Sequence, residues 1–215
     1  MSDASNTQST AESAPSRKRP KPGERRVQIL QTLAEMLEQP NGDRITTAAL
    51  AARLEVSEAA LYRHFASKAQ MFEGLIEFIE QSVFTLVNQI VQREEAAGGD
   101  AATVGARQAS RVVAMVMQFA ERNPGMARVM VGDALVFENE RLQQRMNQFF
   151  DKLEATLKQC LRPQGDGSLT PTVDAQVRSA VLAAFMAGRL QRFVRSGFKR
   201  PASEHLDASL SLLLG

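Results

Sequence analysis

The sequence predicts an all-α protein of about nine helices, with a small three-helix unit near its start and a larger helical body after it. Three observations carry that expectation. Apolar residues recur at three- and four-residue spacing through the segments that lie between breaks. The breaks themselves are Pro and Gly clusters, such as Pro40-Asn41-Gly42 and Gly98-Gly99. Between Arg44 and Phe72, two short helical patterns stand only a few residues apart and run directly into a much longer one.

Residues 1–23 are rich in Ser, Thr, Ala and Pro, with Arg17, Lys18, Arg19 and Lys21 near the end. Such a stretch buries too little to offset its ordering entropy, so it is expected to be mobile in the free protein. It serves either as a solubilising tail or as an arm that reaches phosphates. The first helix is expected from Glu24 to Gln39, with Leu30, Leu33, Ala34 and Leu37 as its apolar stripe and Ile29 and Met36 widening it. Thr46 or Thr47 can cap the next helix, in which Leu50, Ala51 and Leu54 share a face. Ser57 offers a second cap, followed by Ala60, Leu61 and Phe65.

Neither short helix is stable alone, so both must pack on the first. A tight pair with Glu58, Tyr62, Arg63 and His64 on its free side reads as a helix-turn-helix, whose second helix can enter a major groove. A long helix follows from about Lys68 to Arg93, capped at Ser67, with Met71, Leu75, Phe78, Ile79, Leu86, Val87 and Ile90 as its apolar positions. The stretch from Glu94 to Asp100 is expected to be a loop. The next helix, Val104 to Arg122, has scarcely a polar face over residues 112–117 and should be largely enclosed.

Asn123-Pro124-Gly125 ends that helix and starts a short one reaching Met130. After Gly132-Asp133 a longer helix is expected to run to about Leu161, with Leu135, Leu142, Met146, Phe149, Phe150, Leu153 and Leu157 facing inward. Residues 162–171 form a loop, and the last helices span Thr172 to Ser196 and Ser203 to Leu214. In the former, Val177, Val181, Ala184 and Gly188 lie close to one line, a row that lets another helix approach. The row reads as a homodimer interface, against ordinary internal packing. One recognition helix reads few bases, whereas a two-fold pair reads two half-sites.

Composition narrows the function. A chain of 215 residues, 44% hydrophobic, buries a sizeable core, and a net charge of only +2 does not by itself mark a nucleic-acid binder. The basic residues are concentrated early, in the tail and in Arg25 and Arg26. One cysteine, Cys160, and two histidines, His64 and His205, exclude a disulfide framework and a zinc site built mainly from Cys and His. No metal or cofactor is expected. No run of about 18 uncharged apolar residues is present, and the start lacks the apolar core of a signal peptide, so a cytoplasmic protein without a membrane span is expected.

The Leu61-Tyr62-Arg63-His64-Phe65 segment, followed by Ser67-Lys68, resembles the hallmark of the TetR-type bacterial regulators. Further blocks resemble the nucleoid-occlusion branch of that family in Gram-negative bacteria: residues 57–65, 75–80, 121–125 and 192–196. The resemblance implies a homodimer on palindromic double-stranded DNA, associated with the nucleoid. It would antagonise the FtsZ-like, tubulin-related cell-division GTPase and so prevent septation over unsegregated DNA. The resemblance also implies a groove between the first two helices of the larger domain, holding the partner's C-terminal tail against Phe78, Met115, Arg122 and Asn123. Where the best-known relative has a groove arginine this chain has Leu86, so the charge pattern there differs.

Within that reading, Tyr62, His64 and Lys68 are phosphate contacts that position the protein. Thr46, Thr47, Ser57, Glu58, Ala59 and Ala60 are placed to read bases, with alanine methyls against thymine methyls and Glu58 accepting from cytosine. Glu58 could equally serve its own helix start. The domains are then residues 1–23 as a tail, 24–67 as the DNA-binding unit and 68–215 as the dimerisation and partner-binding unit. Two other classes compete. A ligand-responsive repressor of the same architecture would use Met115, Met117, Met126, Met130, Met146 and Met186 to line a pocket, although methionines also fill cores. An enzyme lacks support, since no phosphate-cradling loop, metal cluster or nucleophile–base pair is evident.

Overall fold

The computed structural model describes residues 23–39, 45–162 and 171–215. The basic tail, the Pro40-Asn41-Gly42 break and most of the 162–171 loop therefore lie outside the described residues. Among the described residues there are nine α-helices, a short 3₁₀ turn and no strand. The helices are α1 (Glu24–Leu37), α2 (Thr47–Arg53), α3 (Glu58–Tyr62), α4 (Lys68–Ala96), α5 (Ala101–Arg122), α6 (Pro124–Met130), α7 (Glu140–Leu161), α8 (Pro171–Arg195) and α9 (Leu206–Leu214).

Side chains start the early helices where the sequence indicated. Thr46 accepts from the Ala49 amide at 3.1 Å and Ser57 from the Ala60 amide at 3.3 Å. At α4, Ser67 accepts from the Gln70 amide at 3.2 Å while Gln70 accepts from the Ala66 amide at 2.9 Å. That reciprocal arrangement is close to a capping box. Ile29, Leu33 and Leu37 of α1, Leu50 of α2, Leu61 of α3 and Phe65 form one buried cluster with Met71, Phe72 and Leu75 of α4. Ile45 packs against it from the connecting segment.

The larger body is built on α5, whose Val112, Val113, Val116 and Met117 are fully buried. Around it lie α4, α7 and α8, with α9 closing one side. Phe84, Phe149 and Phe150 make successive edge-to-face contacts at 5.7 and 5.4 Å. Ion pairs Arg141–Glu73 at 2.6 Å and Arg145–Glu80 at 2.9 Å fasten α7 along α4. Cys160 is buried, and that burial pushes its thiol up to about 11, which makes it an unreactive core group at neutral pH.

Four expectations need correction. Glu94 is not in a loop: α4 continues to Ala96, and the buried Glu94 carboxylate takes Arg107 Nε at 3.1 Å and Arg111 Nε at 2.7 Å. Acids near a helix C-terminus are unfavourable on local grounds, and only this distant pairing offsets that. Helix α5 starts earlier, because the Asp100 carboxylate caps it by accepting from the Thr103 amide at 2.9 Å. The long helix expected after Gly132-Asp133 is interrupted: a 3₁₀ turn at Asp133–Leu135 is followed by a loop, and α7 begins only where Asn139 accepts from the Arg141 amide at 3.0 Å. Finally, α9 starts at Leu206 rather than Ser203, since Ser203 is used elsewhere. Its amide and hydroxyl donate to Glu121 of α5 at 2.7 and 2.8 Å.

The N-terminal unit is joined to the body through α1 and α6. A Cβ at Gly125 would sit 1.9 Å from the Ala34 carbonyl oxygen, so the two backbones touch where only glycine fits. Arg128 of α6 donates to the Leu37 and Gln39 carbonyls at 3.2 and 3.3 Å, closing the C-terminal end of α1, and also pairs with Asp133 at 2.7 Å. Gly125→Ala is expected to force α1 and α6 apart at a cost of about 2 kcal/mol. Thermal unfolding of the variant should show a melting temperature lower by roughly 4–8 °C; an unchanged melting temperature would mean that the joint yields freely.

Candidate nucleic-acid interface and adjoining cleft

Of the residues expected to meet DNA, Thr47, Glu58 and Tyr62 are brought together across α2 and α3. Thr46, Ser57, Glu58, Ala59, Tyr62 and His64 are exposed, and Thr47, Ala60 and Lys68 are half-buried. Tyr62 is 45% exposed, enough to leave its ring and hydroxyl available above the small core. The structure adds a connection that the sequence does not show. Thr47 Oγ1 donates to Glu58 Oε2 at 2.6 Å, and the Tyr62 hydroxyl stands 3.5 Å from Thr47 Oγ1, at the outer limit of a hydrogen bond. This contact fixes the start of α2 relative to α3. Ser57, not Glu58, supplies the side-chain cap of α3, so the Glu58 carboxylate is directed across to α2.

Two basic residues behave differently from the expectation. Lys68 is not an open ammonium at the helix start: its Nζ is paired with Glu138 from the loop before α7 and lies 5.6 Å from the Phe72 ring. Arg26, grouped in the sequence with the basic early region, places its guanidinium 4.1 Å over the Phe65 ring and donates to the His64 carbonyl at 2.7 Å. It therefore braces the end of α3 from α1. Its spacing along the chain gave no sign of that role, because the contact spans 38 residues.

The second expected site is only partly assembled. Phe78, 44% exposed, and Asn123 line a cleft of about 410 Å³ with Leu75 and Met126. Its other wall is α1, through Val27, Leu30, Gln31, Ala34, Glu35 and Glu38. The cleft thus lies between the N-terminal unit and the body, rather than between α4 and α5 alone. Met115 packs partly buried against the core, and Arg122 is exposed; neither lines this cleft. Asn123 donates to the Phe119 carbonyl at 2.7 Å, which satisfies the end of α5. Burial first, and the neighbouring Glu35 second, raise the Glu38 carboxyl above its ordinary range. Leu30 and Ala34 of the α1 stripe, with the apolar Val27 one turn before them, were the visible signals of the α1 wall.

Along α8, Val177, Val181, Ala184 and Gly188 are all exposed, with open space beyond Gly188. The row is an outward face and does not pack inside the subunit. Among the described residues, no group of three or more His, Cys, Asp and Glu could hold a metal ion. No helix of the described residues is long and apolar enough to cross a membrane.

A short helix pair with a polar outer side, braced by a third helix and carried on a helical body, defines a helix-turn-helix DNA-binding regulator. The chain belongs to the tetR family of bacterial regulatory proteins, whose description matches residues 29–75, while residues 106–214 match the tetracyclin repressor-like C-terminal domain of the SlmA-like type. It is 47% identical over 197 residues to the nucleoid occlusion factor SlmA of Aliivibrio fischeri strain MJ11, covering 90% of this chain and 96% of that protein. The nucleoid occlusion factor SlmA of a Marinomonas species is 51% identical over 180 residues, covering 83% and 87%. That of Vibrio cholerae is 47% identical over 192 residues, covering 88% and 93%.

Among solved structures, the transcriptional regulator FadR of Bacillus subtilis in complex with stearoyl-CoA aligns with a TM-score of 0.67 at 14% identity, over 88% of this chain and 97% of that one. That likeness shows the fold alone. The family match places the chain among bacterial regulatory proteins of the tetR family.

Tyr62→Ala is expected to weaken binding to specific and nonspecific duplex alike, by roughly tenfold for one lost charge-assisted bond. A titration at fixed salt checks this, and unchanged affinity for both duplexes would remove Tyr62 from the interface.

Proposed function

We propose that this protein is a nucleoid occlusion factor of the cytoplasm: bound to palindromic chromosomal sites as a homodimer, it restrains the tubulin-like division GTPase over unsegregated DNA. The observation that carries the reading is identity near one half to nucleoid occlusion factors, sustained through the C-terminal body as well as the helix-turn-helix. In this reading residues 24–67 are the DNA-binding unit and 68–215 the dimerisation and partner-binding unit. Tyr62, His64 and Lys68 take phosphates, which fix position without reading sequence. Thr46, Thr47, Ser57, Ala59 and Ala60 face the base edges, and Glu58 presents the carboxylate oxygen left free by Thr47 to a cytosine amino group.

The exposed α8 row of Val177, Val181, Ala184 and Gly188 is the dimer contact in this account. Its small side chains suit close approach of a second helix. The partner's C-terminal tail lies on Phe78 and Asn123 in the cleft, and the exposed Arg122, next to Asn123 in the chain but outside the cleft lining, takes its carboxylates. Met115, packed partly buried against the core, keeps the supporting role that the resemblance implies. Glu35 and Glu38 make the α1 wall of the cleft acidic, and Leu86, exposed on α4, brings no charge, so Arg122 is the cation assigned to that tail. The ligand-responsive alternative draws less support, because Met117, Met130, Met146 and Met186 are buried in the packed core and Met115 packs partly buried against it, while Met126, also buried, borders the cleft beside Phe78.

Arg122→Glu is expected to leave duplex affinity intact and to weaken binding of a peptide of the division protein's C-terminal tail by roughly tenfold or more. Equal peptide binding by variant and parent would refute the assignment of Arg122.

A further inference from the structure

The ion pair between Lys68 and Glu138 joins the first residue of α4 to the loop that precedes α7. Both side chains are largely enclosed, Lys68 at 20% exposure and Glu138 at 9%, so added salt screens the pair less than it would a surface pair. Lys68 is also the ammonium that the proposed DNA face offers to a phosphate. One positive group therefore has two claimants of the same charge. If phosphate displaces Glu138, the pair is lost. If Lys68 keeps Glu138 and donates a second N–H to phosphate, the carboxylate stands beside the phosphate oxygens and repels them. Both geometries oppose DNA.

We propose that Glu138 is an affinity-setting residue that competes with duplex phosphate for Lys68 and so holds down binding to every DNA sequence by the same factor. The proposal rests on the reading of Lys68 as a phosphate contact. Because phosphates are the same on all sequences, the carboxylate lowers affinity without touching base readout. The amount is bounded by what one ion pair is worth. Glu73–Arg141 and Glu80–Arg145, which also join α4 to α7, lie farther along the helix and leave the α4–α7 packing in place when Glu138 is changed.

The test measures duplex affinity for Glu138→Gln, Glu138→Asp, Lys68→Met and the Lys68→Met/Glu138→Gln double variant, on a selected operator and on mixed-sequence duplex, across a salt series. Glu138→Gln is expected to bind both duplexes about fivefold more tightly. Glu138→Asp, which withdraws the charge by one methylene, should show a smaller gain. Lys68→Met should weaken both and flatten the salt dependence by about one phosphate contact, and on that background Glu138→Gln should give no gain. Weaker or unchanged binding by Glu138→Gln, with Lys68→Met still impaired, overturns the competition alone. A gain that survives Lys68→Met also overturns it, since the carboxylate then acts through overall charge. Unchanged affinity and salt slope for Lys68→Met overturns the phosphate reading itself. Circular dichroism melts of each variant separate these results from misfolding.

Discussion

The contact on which the rest of the molecule depends is the seat of α1 on α6. At Gly125 the α6 backbone meets the Ala34 carbonyl so closely that no side chain fits between them. Three residues on, Arg128 reaches the Leu37 carbonyl, a helix-end group with no partner within α1, and the Gln39 carbonyl just beyond the helix. Helices α2 and α3 are too short to hold an orientation themselves. Their direction is inherited from α1, through the Leu33, Leu50, Leu61 and Phe65 cluster and through Arg26. A recognition helix braced this way has its angle to the body set by the α1–α6 backbone contact, Arg128 and the apolar packing of α1 on α4. A protein that must offer two such helices to one duplex needs that angle fixed.

The same helix serves two surfaces. One side of α1 supports the helix-turn-helix, and another forms the wall of the cleft that Phe78 and Asn123 face. A small rotation of α1 on the Gly125 pivot would change the width of the cleft and the attitude of α3 together. If a partner docks at the cleft as proposed, α1, shared by both surfaces, is the mechanical element through which DNA and that partner would couple. Contiguity is a reason to look for coupling and does not supply its size.

Much of this was legible in the chain. The caps at Thr46, Ser57 and Ser67 follow local rules, and the structure has them in place. It likewise buries Leu33 and Leu37 of α1, Met71, Leu75, Ile79 and Val87 of α4 and Val112, Val113, Val116 and Met117 of α5. Phe78 and Leu86, apolar positions of the same α4 pattern, are exposed instead. What escaped was non-local. Glu94 looked like a loop acid because its two arginines lie on the next helix. Lys68 looked free because Glu138 lies 70 residues away. The cleft beside Phe78 and Asn123 was not foreseen, because its facing wall is α1, far earlier in the chain. Each miss is a pairing between distant charges or helices, which periodicity does not encode.

The arrangement of two fixed recognition helices is tested most directly by spacing. Duplexes carrying two half-sites whose centres lie one turn apart, about 34 Å, should bind two copies together and tightly. Inserting about five base pairs turns one half-site to the opposite side of the duplex and should reduce binding to that of a single half-site. Equal affinity and stoichiometry for both spacings would contradict the account, because subunits that tolerate either phase are not holding their short helices in one two-fold frame.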